Sequence, residues 1–151
     1  MGNSKEEMIS YFDRLLETLQ IEHKKFTHKE MKALNPKSVY YACKKEDDEF
    51  FKEICFTIKI SPEHRTIYFS CQRIYEVSDS DIKIYKAINE VNQCALSGAL
   101  YVLDGYVQYR SLLFYPPTAT KLSSDIVDMY IEHIIDAIYL LNQELNDQKN
   151  E

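Results

Sequence analysis

The chain carries four histidines, His23, His28, His64 and His133, the side chains best suited to acid–base or metal chemistry near neutral pH. His23 and His28 stand five residues apart with Lys24, Lys25 and Lys29 around them. That charge repels a metal ion, and the spacing does not stack both rings on one helical face, so both read as surface histidines. His64 follows Pro62-Glu63 in what reads as a solvated turn. His133 stands with Glu132 and Asp136, and a three-residue offset on a helix brings His133 and Asp136 together as a surface pair. No nucleophile or second base accompanies them in sequence, so no catalytic residue is assigned.

The remaining reactive residue types are equally dispersed. Glu46-Asp47-Asp48-Glu49 is an acidic run that can draw a cation, but it lacks the spaced oxygens and the glycine of a calcium loop and reads as a solvated hairpin tip. Cys43, Cys55, Cys71 and Cys94 are all at least twelve residues apart, which rules out a CxxC pair for zinc or redox work. With no secretory signal they are expected to be free thiols. Three scattered glycines cannot build a phosphate-cradling loop or a dinucleotide fingerprint, and no serine sits in a G-x-S-x-G elbow. No cofactor and no metal is therefore expected.

Composition narrows the partners. The chain has 151 residues, 45% of them apolar and 28% charged, which suits one domain spanning 1–151 with its own core. Its 18 basic and 24 acidic residues leave a net charge of −6. That balance disfavours nucleic acid, whose binders need a basic face, and anionic membrane surfaces. No run approaches the roughly 18 apolar residues of a membrane span, and the first residues show no apolar signal core, so a cytoplasmic protein is expected. Tryptophan is absent, but 12 Tyr and 7 Phe supply side chains that serve cores and binding faces alike.

The elements that position these residues can be read from periodicity. Ser4 and Glu7 form a capping box, and Met8, Phe12, Leu15, Leu16 and Leu19 recur at helical spacing over about 5–20. Residues 21–37 are polar and basic, broken by Asn35-Pro36, and fit a short helix around 29–34 or a loop. Ser38–Cys43 is β-prone, and Lys44–Glu49 reads as a charged turn. Over 51–60, Ile54, Phe56, Ile58 and Ile60 alternate with Glu53, Cys55, Thr57 and Lys59; Ser61-Pro62-Glu63-His64 then makes a type I turn into a strand over 65–77. Pairing Ile60 with Arg65 gathers Ile58, Ile67, Phe56, Phe69, Ile54 and Cys71 on one face. Cys71 is then inside and Cys55 outside. The same register sets Lys52 against Arg73, so pairing must change near that end.

Ser78-Asp79-Ser80-Asp81 caps a helix over about 79–95 with the stripe Ile84, Tyr85, Ile88, Val91 and Ala95. Asp104-Gly105 then turns a hairpin between 98–103 and 106–115, with Leu103 opposite Tyr106, Tyr101 opposite Gln108 and Ala99 opposite Arg110. One face of this hairpin holds Tyr101, Leu103, Tyr106, Gln108, Arg110, Leu112 and Phe114; the other holds Leu100, Val102, Val107 and Tyr109. Both are apolar enough for the core, so the first set is either covered by a helix or an open Tyr- and Arg-bearing platform. Pro116-Pro117 ends the strand. A last helix over about 124–146, capped by Ser123 or Ser124, is apolar around much of its circumference, Ile131 and Tyr139 included. That breadth suggests a subunit interface beyond the core contact. The order is α-β-β-β-α-β-β-α: an α+β fold with an antiparallel sheet packed by helices.

The stretch from Ile84 to Phe114 reads Ile-Tyr-Lys-Ala-Ile-Asn-Glu-Val-Asn, a short link, then Gly-Ala-Leu-Tyr-Val-Leu-Asp-Gly-Tyr-Val-Gln-Tyr-Arg-Ser-Leu-Leu-Phe. A helix ending in Asn (here Asn89 and Asn92), a strand, an Asp-Gly turn, a returning strand and a long last helix resemble the YbjN-type domains. Those share the fold of the type III secretion chaperones, and the resemblance covers about 50–147. It implies a non-enzymatic, often dimeric α+β domain with no catalytic residues to carry over; the secretion chaperones bind unfolded stretches of partner proteins.

The expectation is a dimeric, chaperone-like domain that binds another polypeptide through the last helix and a hairpin face. The runner-up is a small-molecule or signal-sensing regulatory domain with a Tyr-rich pocket, and an enzyme of unknown class comes third. A binder needs an open apolar patch, a sensor an enclosed pocket, an enzyme clustered titratable groups with perturbed pKa values.

Overall fold

In the computed structural model, residues 4–26, 38–47, 52–78, 80–94, 96–115 and 123–149 are described. They form α1 (Ser4–Thr18), β1 (Glu22–Phe26), β2 (Val39–Asp47), β3 (Lys52–Ser61), β4 (Thr66–Glu76), α2 (Ile82–Asn92), β5 (Gly98–Leu103), β6 (Tyr106–Phe114) and α3 (Ser124–Lys149). The fold is α+β, as the sequence pattern predicts, but the antiparallel sheet has six strands rather than five, in the order β1-β2-β3-β4-β6-β5. Backbone contacts divide the chain into two units, one of residues 1–69 and 112–127, the other of 70–111 and 128–151.

In the first unit, α1 buries Met8, Phe12, Leu15 and Leu16, the stripe its spacing predicts. It ends by two bonds, Gln20 N–H to the Glu17 carbonyl and Ile21 N–H to the Leu16 carbonyl, with Gln20 in the left-handed region at φ 57. This is a Schellman stop made with Gln in place of the usual Gly. The chain then enters β1, the strand sequence reasoning leaves out. Its sequence Glu-His-Lys-Lys-Phe has no apolar alternation, and the residues opposite buried Cys43 and Tyr41 are the polar His23 and Lys25. Pairing supplies what propensity does not. β1 lies antiparallel to β2, with the His23 ring 6.1 Å from that of Tyr41 and Lys25 Nζ 3.2 Å from Asp13. Lysines on an edge strand also discourage pairing with another chain.

β2 runs on to Asp47, through the stretch expected as a turn. Alternate-sign charges on neighbouring strands make this possible: Lys44 stands opposite Glu22 on β1 and bonds Glu53 on β3 at 3.0 Å. These carboxylates push the Lys44 ammonium pKa up. Residues 48–51, with the rest of the expected acidic tip, lie outside the described residues. β3 buries Ile54, Phe56, Ile58 and Ile60 and exposes Glu53 and Cys55; β4 begins with buried Ile67 and Phe69. The intervening turn closes one residue later than predicted, by Arg65 N–H to the Pro62 carbonyl, with Arg65 at φ 52.

In the second unit, β4 continues from Ser70 with Cys71 buried, and its alternation breaks at Arg73, at φ 54. α2 is shorter than predicted, and its N-cap Asp81 makes no side-chain capping bond. Ile84, Ala87, Ile88 and Val91 are buried; Tyr85, expected in the stripe, is 46% exposed, and Ala95 lies outside the described residues. β5 and β6 pair in the predicted register, Leu103 with Tyr106, Tyr101 with Gln108 and Ala99 with Arg110. Asp104 at φ 54 and Gly105 at φ 79 supply the two left-handed residues a type I′ turn requires. α3 buries Ile131, Ile134, Ala137, Ile138 and Leu141 on one stripe.

Candidate protein-binding surface

Among the described residues no group of three or more His, Cys, Asp or Glu is placed to hold a metal ion. His64 is exposed, and His23 donates from Nδ1 to the Ile21 carbonyl, 2.9 Å away. His28 lies outside the described residues. His133 does not act with Asp136: its Nδ1 accepts the Ser97 N–H at 2.9 Å, which fixes the entry to β5. Apart from Lys44, the shifted groups among the described residues are tyrosines and a cysteine raised by burial. Burial pushes the Cys43 thiol up to about 12; burial, then a hydrogen bond to Asp13, raises Tyr41, and burial raises Tyr109. Each shift keeps a core group neutral. No disulfide forms; Cys43 and Cys71 are buried while Cys55 and Cys94 are exposed.

The second hairpin has the clearest built surface. Leu100 and Tyr109 are buried, as is Val107, so this face belongs to the core. The opposite face is the open one. Leu103 is 51% exposed, Arg110 is exposed, and Tyr101 and Tyr106 are half-buried. On the same strand, in the first unit, Leu112 is half-buried and Phe114 is 68% exposed. Gln108 is the exception. It is buried, accepts from the Tyr101 hydroxyl at 3.2 Å and donates to the Leu103 carbonyl at 3.2 Å, so it supports the face from beneath. The Arg110 guanidinium lies 5.8 Å from the Tyr101 ring and that of Arg73 lies 5.5 Å from the Tyr106 ring. At these distances each guanidinium is within cation–π reach of a tyrosine ring. Arg73 is a contributor the sequence does not reveal, because its neighbour Tyr106 is thirty-three residues away and meets it only through the β4–β6 adjacency.

Two clamps position this hairpin. The Asn92 amide donates to the Leu100 carbonyl at 2.9 Å and accepts the Leu100 N–H at 2.8 Å. It thereby takes up one residue's outward backbone groups on the edge strand β5. The other clamp is the His133–Ser97 bond already described.

α3 is divided differently from the sequence expectation. Ile131, expected at an interface, is fully buried within the chain and offers nothing to a partner; it falls on the stripe with Ile134, Ile138 and Leu141, which packs inward. Tyr139, on the outer side, is 44% exposed, and Met129 is 45% exposed. No described helix is long and apolar enough to cross a membrane.

No protein-family model matches the chain, and no curated protein matches it. A solved structure does share its fold: a chain of the HopA1–SchA chaperone–effector complex superposes with a TM-score of 0.52 at 10% identity, over 92% of this chain and 95% of that one. At that identity the likeness is one of fold. It bears out the expected α+β fold, an antiparallel sheet packed by helices, as one shared with a chain of that complex.

Proposed function

We propose that the chain is a non-enzymatic, chaperone-like module that binds an unfolded stretch of another polypeptide on the open face of the β5–β6 hairpin. The observation that carries this reading is the face itself, where Leu103, Tyr101 and Tyr106 lie bare or half-bare beside Arg73 and Arg110, each over a tyrosine ring. Aromatic and Arg residues on a rigid strand pair are the types enriched where protein interfaces hold most of their energy. A fold shared with a chain from a chaperone–effector complex supports the same reading. The affiliation with YbjN-type domains belongs to this proposal too, supported by the helix-ending Asn92 that braces the strand before the Asp-Gly turn. We take residues 1–151 to work as one cytoplasmic domain, paired as a homodimer through the outer side of α3 at Tyr139.

The test is suppression of aggregation. The protein should hold a denatured substrate protein in solution on dilution from denaturant. Leu103→Asp with Arg110→Glu should abolish this while leaving the circular dichroism unchanged. A wild-type protein that does not slow aggregation sinks the reading. Light scattering tests the dimer separately: Tyr139→Asp should halve the mass, and a monomeric wild-type protein removes the dimer without touching the binding face.

A further inference from the structure

The first unit has a bare face of its own. On β1–β3 the side chains opposite the core are Glu22, Lys24 and Phe26, then Tyr40, Ala42, Lys44 and Glu46, then Glu53, Cys55, Thr57 and Lys59; Tyr68 joins them from β4. Ala42, in the middle of this face on an interior strand, is exposed, so no described side chain covers it. The charges are sorted along the strands. At one end Phe26 stands opposite Tyr40 and Tyr40 opposite Lys59. Lys59 Nζ lies 5.8 Å from the Tyr40 ring and 5.1 Å from the Tyr68 ring, and Lys24 Nζ lies 5.1 Å from the Phe26 ring. No described carboxylate pairs with Lys24 or Lys59. At the other end stand Glu22, Glu46 and Glu53, with Lys44 bonded among them.

We propose that the end formed by Lys24, Phe26, Tyr40, Lys59 and Tyr68 binds an acidic polypeptide segment, its carboxylates on the two ammonium groups and its apolar side chains on the rings. A lysine drawn toward an aromatic face loses part of its freedom while its ammonium group remains able to donate to a carboxylate. A polyphosphate chain is disfavoured, because it would pass on over Glu22, Glu46 and Glu53, whereas a polypeptide can turn acidic residues to one end and basic ones to the other. A second copy is disfavoured by size. Strands about 4.8 Å apart and about 3.4 Å per residue give this face a footprint on the order of 400 Å². A stable interface needs about 800 Å² per partner. The inference concerns a different unit from the hairpin face and stands or falls without it.

The experiment uses the full chain and a short fluorescein-labelled peptide of alternating Glu and Phe, with a Lys-for-Glu peptide and oligothymidylate as rivals. Anisotropy should show binding of the acidic peptide that weakens as salt is raised. Lys24→Glu with Lys59→Glu should lower its affinity roughly tenfold, two reversed contacts of about threefold or more each. Arg110→Glu should leave it unchanged. If the reversal disturbs the sheet, Lys24→Gln with Lys59→Gln should still weaken binding several-fold. No binding, equal binding of the Lys peptide, an unchanged affinity in both double variants, or displacement by oligothymidylate at lower concentration than by unlabelled peptide each overturns the proposal.

Discussion

Replacing Asn92 by Ala removes the two hydrogen bonds that brace the outer edge of β5. The Asn92 amide holds both the N–H and the carbonyl of Leu100, at 2.8 and 2.9 Å. Each such bond contributes a net ~0.5–1.5 kcal/mol. Asn92 is itself exposed, so water can reach the freed groups and the lower half of that range applies, about 1–2 kcal/mol for the pair. Ala is the better helix former by up to about 0.7 kcal/mol, which masks part of the loss. Asn89→Ala, on the same helix and exposed but without this bracket, gains the same propensity and is the control. The difference between the two variants should be about 1–2 kcal/mol, or roughly 2–8 °C in Tm for a chain of this size. Urea unfolding followed by far-ultraviolet circular dichroism should show the midpoint fall with the slope unchanged. Asn92→Asp sharpens the test. It keeps the acceptor for the Leu100 N–H but turns a second acceptor toward the Leu100 carbonyl, so it should be at least as destabilising as Ala despite its identical shape. If Asn92→Ala and Asn89→Ala unfold at the same urea concentration, or Asn92→Asp is neutral, the bracket does not hold the strand and the reasoning fails.

Ile131→Asp should cost more than about 4 kcal/mol and leave the chain unfolded by circular dichroism, because it buries a carboxylate among Ile134, Ile138 and Leu141, whereas Tyr139→Asp should stay within about 1 kcal/mol of wild type. A Cβ at position 98 would run into the Arg110 carbonyl oxygen, so Gly98→Ala should cost about 2 kcal/mol or more, while Gly105→Ala, in open space at φ 79, should cost about 1 kcal/mol; differential scanning calorimetry ranks them. A thiol reagent should label Cys55 and Cys94 in the native protein and reach Cys43 and Cys71 only on unfolding. Cys43 is raised from 9.0 to about 12 by burial, so its contribution to stability is complete below pH 9 and is lost as the pH climbs toward 12. Cys43→Ala should flatten that alkaline decline without abolishing it, since Tyr41 is raised in the same direction.

Local chemistry alone determined much of this protein. The Asp104-Gly105 turn fixes the register of its hairpin because only left-handed residues close a two-residue turn with the right twist. The alternation of Ile54, Phe56, Ile58 and Ile60, and the spacing of Met8, Phe12, Leu15 and Leu16, determine which side of each element is buried, because the side-chain period of a strand or helix is set by its backbone. Tertiary structure decided what these periods leave open. β1 exists through its pairing with β2 and through the Lys25–Asp13 and His23–Tyr41 contacts, none of which its own five residues encode. The two faces of the β5–β6 hairpin are about equally apolar, so burial of Leu100, Val107 and Tyr109, rather than Tyr101 and Leu103, was settled by what packs against them. α3 is apolar on more than one side, and the inward choice of Ile131 over Tyr139 was likewise made by its neighbours. A pattern names the faces of an element, but burial is a property of pairs of surfaces, and the second surface comes from elsewhere in the chain.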